Sequence, residues 1–291
     1  MKKLIFLILS IFLTVPCWAN GFPFLQLGVG ARPGGMGLAY TAMSGDALAG
    51  YWNPAGLVMI KQNDITLSIH KWIQDVDSYS FSYGWGNNRH GLGMHILYTE
   101  IAGIEQRTGP SPEPLSVFSA HDLIFGISYG KRFNKNLSWG ITLKCLYKKI
   151  WIDDASGFAA DFGVQYNIQK IRLGGVVQNI GKTNKLRNES LSLPTTVKVG
   201  AAVPVKLLKS NWIVVIDGVH EIGEEFYCHS GVEWAMKDQL ALRGGLQVGY
   251  EDIRFTGGIG ILWKIYRINY SIMPSVNGLG HSYRFSIGIN W

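Results

Sequence analysis

Beyond residue 20 the chain has no apolar run of helix length that could cross a membrane; its apolar residues alternate instead. The stretch poorest in charge, 33–60, carries only Asp46, but it also holds six glycines and two prolines, which a spanning helix avoids. Elsewhere Tyr79, Phe81, Tyr83 and Trp85 interleave with Ser78, Ser80, Ser82 and Gly84. Leu92, Met94, Ile96 and Tyr98 follow the same rule, as do Phe255, Ile259, Ile261 and Trp263, and Tyr283, Phe285, Ile287, Ile289 and Trp291. A period of two means strands with one apolar face and one small or polar face. Fourteen such segments are expected: 65–73, 78–85, 91–99, 121–130, 137–149, 157–166, 170–180, 194–203, 211–218, 225–234, 239–248, 253–263, 266–273 and 281–291. Turn chemistry separates them at Asn87-Asn88, Asn134-Lys135-Asn136, Asn167 and Lys237-Asp238.

The first residues read as a targeting segment. Lys2 and Lys3 precede an apolar run from Leu4 to Val15, followed by Cys17-Trp18-Ala19, a pattern cleaved after Ala19. Removing the two lysines lowers the formal charge from +7 to +5. Pro16 directly before Cys17 fits a lipidation site poorly. The connections between strands then show a parity: 100–120 and 181–193 are long, whereas 86–90, 131–136, 167–169, 204–210, 235–238 and 264–265 are short. An outer-membrane barrel has this asymmetry, with short periplasmic turns and longer external loops. An even strand number puts both chain ends on the periplasmic side.

The two faces differ in chemistry. One carries Asp161, Arg172, Glu233, Arg243, Arg254, Arg267 and Arg284; the other carries Phe162, Leu173, Trp234, Leu242, Phe255, Ile268 and Phe285. A soluble sandwich would bury the apolar face, and a membrane barrel would turn it to lipid. Trp85, Trp212, Trp234, Trp263 and Trp291 near strand ends favour the barrel, where aromatics girdle the interfaces. Charged residues make up only 16%, against roughly 25% in soluble domains. The expected fold is all-β: a transmembrane antiparallel up-and-down barrel of about fourteen strands over 63–291, a signal peptide over 1–19, and a small plug with a short helix over 20–62.

Residues 31–57 read Ala-Arg-Pro-Gly-Gly-Met-Gly-Leu-Ala-Tyr-Thr-Ala, then Ser-Gly-Asp-Ala, then Tyr-Trp-Asn-Pro-Ala-Gly-Leu. Val177-Gln178-Asn179-Ile180-Gly181, Gly231-Val232-Glu233-Trp234, Leu242-Arg243-Gly244-Gly245 and His281-Ser282-Tyr283-Arg284-Phe285-Ser286 follow in order. Together these resemble the PorV/PorQ family of outer-membrane proteins, a branch of the FadL-like fourteen-stranded barrels. Asn269-Tyr270-Ser271 departs from the Asp-Tyr-Ala frequent in relatives and lacks its lumen charge. The resemblance implies an outer-membrane location and a non-enzymatic part in type IX secretion, with secretion components or cargo proteins as partners and loop 100–120 as the main surface element. The alternative it implies is a FadL-like transporter of hydrophobic small molecules. A third class, a lipid-modifying enzyme of the outer membrane, would need a catalytic set.

Physics gives the N-terminal motif its own reading. Gly34, Gly35 and Gly37 allow close backbone approach. Ala39, Ala42, Ala47 and Ala49 allow a short helix to pack tightly, and Asn53-Pro54 ends it. Plug or gate candidates are Arg32, Gly34, Gly35, Gly37, Asp46, Trp52, Asn53 and Pro54. On the strands, Asp161 and Glu233 are expected to pair across the lumen with Arg243, Arg254, Arg267 and Arg284, or else to leave an electropositive pore or anion site. Lys144, Lys148 and Lys149 read as a solvated strand end, not a nucleic-acid site. Cys145 and Cys228 read as buried free thiols. Gly126-Ile127-Ser128-Tyr129-Gly130 fits G-x-S-x-G but lies in an alternating strand, where no nucleophile elbow forms. No histidine spacing suits a metal, and no cofactor is expected.

Overall fold

The computed structural model describes residues 21–291 apart from 44, 73–74, 188, 208–209, 238 and 275–279. The proposed signal peptide therefore lies outside the described residues. Sixteen strands are present among them: β1 (Asn63–Lys71), β2 (Val76–Gly86), β3 (His90–Gln106), β4 (Ser116–Arg132), β5 (Leu137–Ile150), β6 (Asp153–Ile168), β7 (Ile171–Thr183), β8 (Lys185–Leu186), β9 (Glu189–Ser190), β10 (Thr196–Leu207), β11 (Ser210–Glu221), β12 (Phe226–Met236), β13 (Leu240–Val248), β14 (Arg254–Trp263), β15 (Tyr266–Pro274) and β16 (His281–Asn290). All but β8 and β9 form one antiparallel sheet, which closes where β1 pairs with β16, Asp64 opposite Asn290 and Lys71 opposite Tyr283. These fourteen are the expected segments, with shifted ends.

Alternation sets which side chain goes where. On β16 Ser282, Arg284 and Ser286 point inward and are buried, while Tyr283, Phe285 and Ile287 point outward and are exposed. Within the strands, exposed apolar side chains such as Phe158, Phe255 and Leu143 sit on the outward face, which has lipid as its solvent. Trp85, Trp212, Trp234, Trp263 and Trp291 gather at the end where the barrel begins and finishes. Trp212 and Trp234 stack there at 5.3 Å. Short turns at this end use the expected chemistry: the Asn87 side chain accepts from the amides of Arg89 and His90, and that of Asn134 from Asn136 and Leu137.

Three expectations change. Most of 100–120 is strand, because β3 and β4 are 17 residues each where about 9–11 suffice to span a membrane. Ile101 is the last residue of β3 paired to β2, and Ala120 the first of β4 paired to β5. Residues 102–119 therefore project as a hairpin beyond both neighbours. By contrast β13 and β15 have nine residues. The long connection 181–193 likewise contains the end of β7 and the small β8–β9 hairpin.

The barrel does begin and finish at one end, where Asn63 and Trp291 exchange backbone hydrogen bonds of 2.9 and 3.1 Å. The segment before it starts at the other: the Gly21 amide donates to the Ser192 carbonyl at 2.9 Å, in the β7–β10 connection. Residues 21–60 thus run down the interior from far end to closure end. They are almost wholly buried and supply most of the apolar core, including Phe22, Met36, Tyr40, Tyr51 and Trp52. The thiols, finally, are not buried: Cys145 is exposed and Cys228 half-exposed, since both fall on outward positions of β5 and β12.

Candidate functional site

The interior segment is built from short pieces. A helical turn Ala31–Gly35 follows Gly30, and a second helical turn, Ala49–Trp52, ends at Asn53. The expected short helix is confined to these four residues, with Ala39, Ala42 and Ala47 buried in the turns before it. Asn53 is extended at φ −161°, and its side chain caps the 3₁₀ run Pro54–Met59, with Pro54 at the first position. Each piece lies against small residues of the wall. A side chain on Gly37 would need φ +65° and would lie 2.6 Å from the Ser230 carbonyl oxygen. Gly35 lies over Gly258, and Gly34 against Ser271 and Arg284. On the opposite wall a Cβ at Gly140 would lie 2.5 Å from the Pro54 carbonyl carbon.

The polar contacts divide in the same way. The Asn53 amide donates to the carbonyls of Thr41 (2.9 Å), Val164 (3.2 Å) and Gly175 (3.4 Å), and Asn53 Oδ1 accepts from Ala55 N (3.1 Å). Ser138 donates to Ala55 O, while Ser128 and Thr142 both donate to Gly50 O. On the other side Arg32 grips Glu233 through two hydrogen bonds, 2.7 and 2.8 Å, and Arg243 Nε reaches the same carboxylate at 2.6 Å. Arg32 also faces Asp46 at 3.4 Å, and Asp46 accepts the Tyr40 hydroxyl. Burial holds the Tyr40 phenol well above its ordinary range, so it remains a donor. The Tyr40 and Thr41 amides both donate to Asp217 Oδ2, at 2.8 and 2.9 Å.

Two interior cavities are lined by described residues. One of about 290 Å³ opens toward the closure end and is ionic, lined by Arg32, Asp46, Glu233, Arg243, Arg267 and Asn269. The second, of about 300 Å³, lies toward the far end. Its wall combines Leu25, Leu27, Leu38 and Trp52 with Lys198, Arg254 and Arg284, and closes with Tyr227 and Tyr250. Those two tyrosines stack at 4.3 Å, Arg254 lies 4.0 Å over the Tyr250 ring, and the Tyr250 hydroxyl is 2.9 Å from His229 Nε2. Burial pushes the Tyr250 phenol up to about 12.

The profile of one protein family, described as Type IX secretion system protein PorV, matches residues 16–222, more than half of the chain. This chain belongs to the PorV family. Solved structures similar to it share the fold. The toluene transporter TodX of Pseudomonas putida aligns with TM-score 0.70 at 13% identity, covering 90% of this chain and 96% of its own. TbuX, the toluene transporter of Ralstonia pickettii, gives 0.65 at 13%, covering 92% and 100%. A FadL homologue from Pseudomonas aeruginosa gives 0.60 at 10%, covering 90% and 98%. A comparison with curated protein sequences found no match.

In this PorV-family barrel the candidate residues from the N-terminal motif lie on two sides of the interior segment, with Trp52 on the wall of the far-end cavity and its indole donating to Val29 O at 3.1 Å. The strand charges follow the expectation in part: Glu233 pairs with Arg243, whereas Asp161 and the other arginines find other partners. Glu233 pairs with Arg243 on the next strand and with Arg32 of the interior segment, so the acid ties segment to wall. Arg267 pairs with Asp64 at 2.6 Å, whose other oxygen holds the Ala47 amide. Arg284 donates to the Leu27 carbonyl, and Arg254 stacks on Tyr250. Asp161 pairs with a lysine, Lys144, at 2.7 Å.

That pair corrects the reading of the basic cluster as a solvated strand end. Lys144 and Lys148 are inward on β5 and buried, Lys148 reaching Asp122 at 2.6 Å; only Lys149 faces out. Alternation carries both inward together with Leu146. Lys148 also lies 5.1 Å over the Phe22 ring, which anchors the start of the interior segment. Sequence reasoning passed over Tyr40, Asp64, Lys198 and Asp217 as well. The missing information was strand register, which decides the partner of an inward charge. Ser128 lies in mid-strand with its hydroxyl shared between Thr142 and Gly50. Among the described residues no group of three or more His, Cys, Asp or Glu gathers as a metal site would.

Proposed function

We propose that this barrel works in protein secretion of the type IX kind at the outer membrane, as a non-enzymatic surface component. Its signal peptide is cleaved after Ala19, and residues 20–62 serve as a plug for a barrel over 63–291. Membership of the PorV family is the observation that carries this reading. The shape of the molecule supports it. With the lumen filled, the surface offered to a partner is the rim. The largest projection from the rim is the hairpin 102–119, which exposes Leu115 and Val117. The far end then faces outside, and the short turns face the periplasm. Secretion components or cargo proteins are the partners. The engaged Ser128 hydroxyl speaks against nucleophilic catalysis.

The test is affinity purification from cross-linked cells, using the intact protein and a variant with Arg107–Pro114 replaced by a two-residue turn. Intact protein brings down secretion components or cargo, and the shortened one loses most of them. Intact protein recovered alone would overturn the proposal. A second reading, carriage of small apolar molecules, is favoured by the far-end cavity and the FadL-like fold. Uptake restored to a deletion strain by the gene would support it, and unchanged uptake would remove it.

A further inference from the structure

The far-end cavity has a charge imbalance that the secretion reading leaves unused. Three cationic side chains, Lys198, Arg254 and Arg284, line it against one carboxylate, Glu221, and that carboxylate already accepts the Gln26 amide. Arg284 is buried; its one hydrogen bond among the described residues goes to a backbone carbonyl, Leu27 O at 2.7 Å, and its Nε has no partner. Lys198 makes no ion pair among the described residues and rests 5.0 Å over the Trp52 ring. Asp217, one strand away, holds its carboxylate on the amides of Tyr40 and Thr41. Arg254 spends its planar face on Tyr250. Arg284 is a buried cation without a carboxylate, and Lys198 a half-buried one in the same cavity; such placement is costly, and a bound anion would relieve that cost.

The rest of the wall pairs an apolar and aromatic part, Leu25, Leu27, Leu38, Trp52 and Tyr227, with neutral polar groups such as Gln178, Asn179 and Gln247. Volume limits the body of the guest. About 300 Å³ is roughly twice the 150 Å³ cavity that takes up benzene. We infer that this cavity is a binding site for a small organic acid, a single carboxylate on a compact aromatic body of one or two rings. The carboxylate sits toward Lys198 and Arg284, and the rings lie on Trp52 and the leucines. This deepens the small-molecule reading by naming the guest. It concerns binding alone, so intact binding with absent uptake would remove carriage and leave the site standing.

The probe is 2-naphthoate, measured by calorimetry against the full mature protein in lipid nanodiscs, with empty nanodiscs subtracted. Its neutral analogue 2-naphthamide and the long-chain acid palmitate serve as comparisons. Naphthoate should bind at least tenfold more tightly than the amide. Lys198→Met, checked for folding by heat-modifiable migration, should weaken naphthoate at least tenfold and leave the amide unchanged. Arg284→Met should act the same way, and Lys198→Met keeps the test intact if loss of the Leu27 contact prevents Arg284→Met from folding. Equal binding of acid and amide, no binding of either, or an unaffected Lys198→Met would overturn the assignment. Palmitate binding tenfold more tightly than naphthoate would overturn its size limit.

Discussion

The two sides of the interior segment are fixed to the wall by different physics. Around Asn53 the contacts are neutral: one amide serving three carbonyls, three hydroxyls on two further carbonyls, and Pro54 seated on a glycine. Around Arg32 the contacts are ionic, with two guanidiniums on one carboxylate beside a cavity. Neutral hydrogen bonds to backbone require no counter-charge and leave no room for an alternative partner. Ion pairs beside a polar cavity can be traded for water or another ion. The Asn53 side therefore behaves as part of the wall, and the Arg32 side as the half able to let go.

The largest expected effect tests the fit on the Asn53 side. Gly140→Val pushes a side chain into Pro54 backbone and should abolish the heat-modifiable band, whereas Gly244→Val, whose nearest neighbour is 3.8 Å away, should keep it. Equal behaviour would mean the lumen is not crowded. Next comes Glu233→Gln, which strands the buried Arg243 guanidinium, leaves Arg32 only Asp46, and should cost about 3 kcal/mol. Its unfolding in urea should also become less sensitive to salt. Asn53→Ala should cost about 2 kcal/mol through its orphaned carbonyls, with the salt dependence of the parent retained. A salt dependence altered by Asn53→Ala and not by Glu233→Gln would reverse the comparison. Arg32→Lys, keeping charge while losing the two-pronged grip on Glu233, should cost about 1.5 kcal/mol, the smallest shift of the urea midpoint.

Much of this architecture could be read directly from the chain. Strands with one lipid face announce themselves by period two, as in Tyr79–Trp85 and Tyr283–Trp291, because lipid punishes any polar residue placed outward. The Gly34–Gly37 and Asn53-Pro54 motifs were legible because few residue types permit such close backbone approach or such a cap. What stayed hidden depends on register and direction. Lys144 finds Asp161 only once β5 lies beside β6, and nothing local in residues 142–149 announces that neighbour. The start of the segment beside Ser192, at the end opposite β1, depends on contacts made after the barrel closes. The hairpin 102–119 was hidden because its tip has little apolar alternation once it leaves the membrane.

Hydrogen exchange of the full protein in nanodiscs reads the two sides of the segment separately. The account predicts that the Ala55 and Ile60 amides exchange as slowly as those of the strands around them. The Gly37 and Tyr40 amides, held by the Thr256 hydroxyl and the Asp217 carboxylate, should exchange at least tenfold faster and slow down at low salt. Uniform protection along residues 31–60, or faster exchange at Ala55 than at Tyr40, would contradict it.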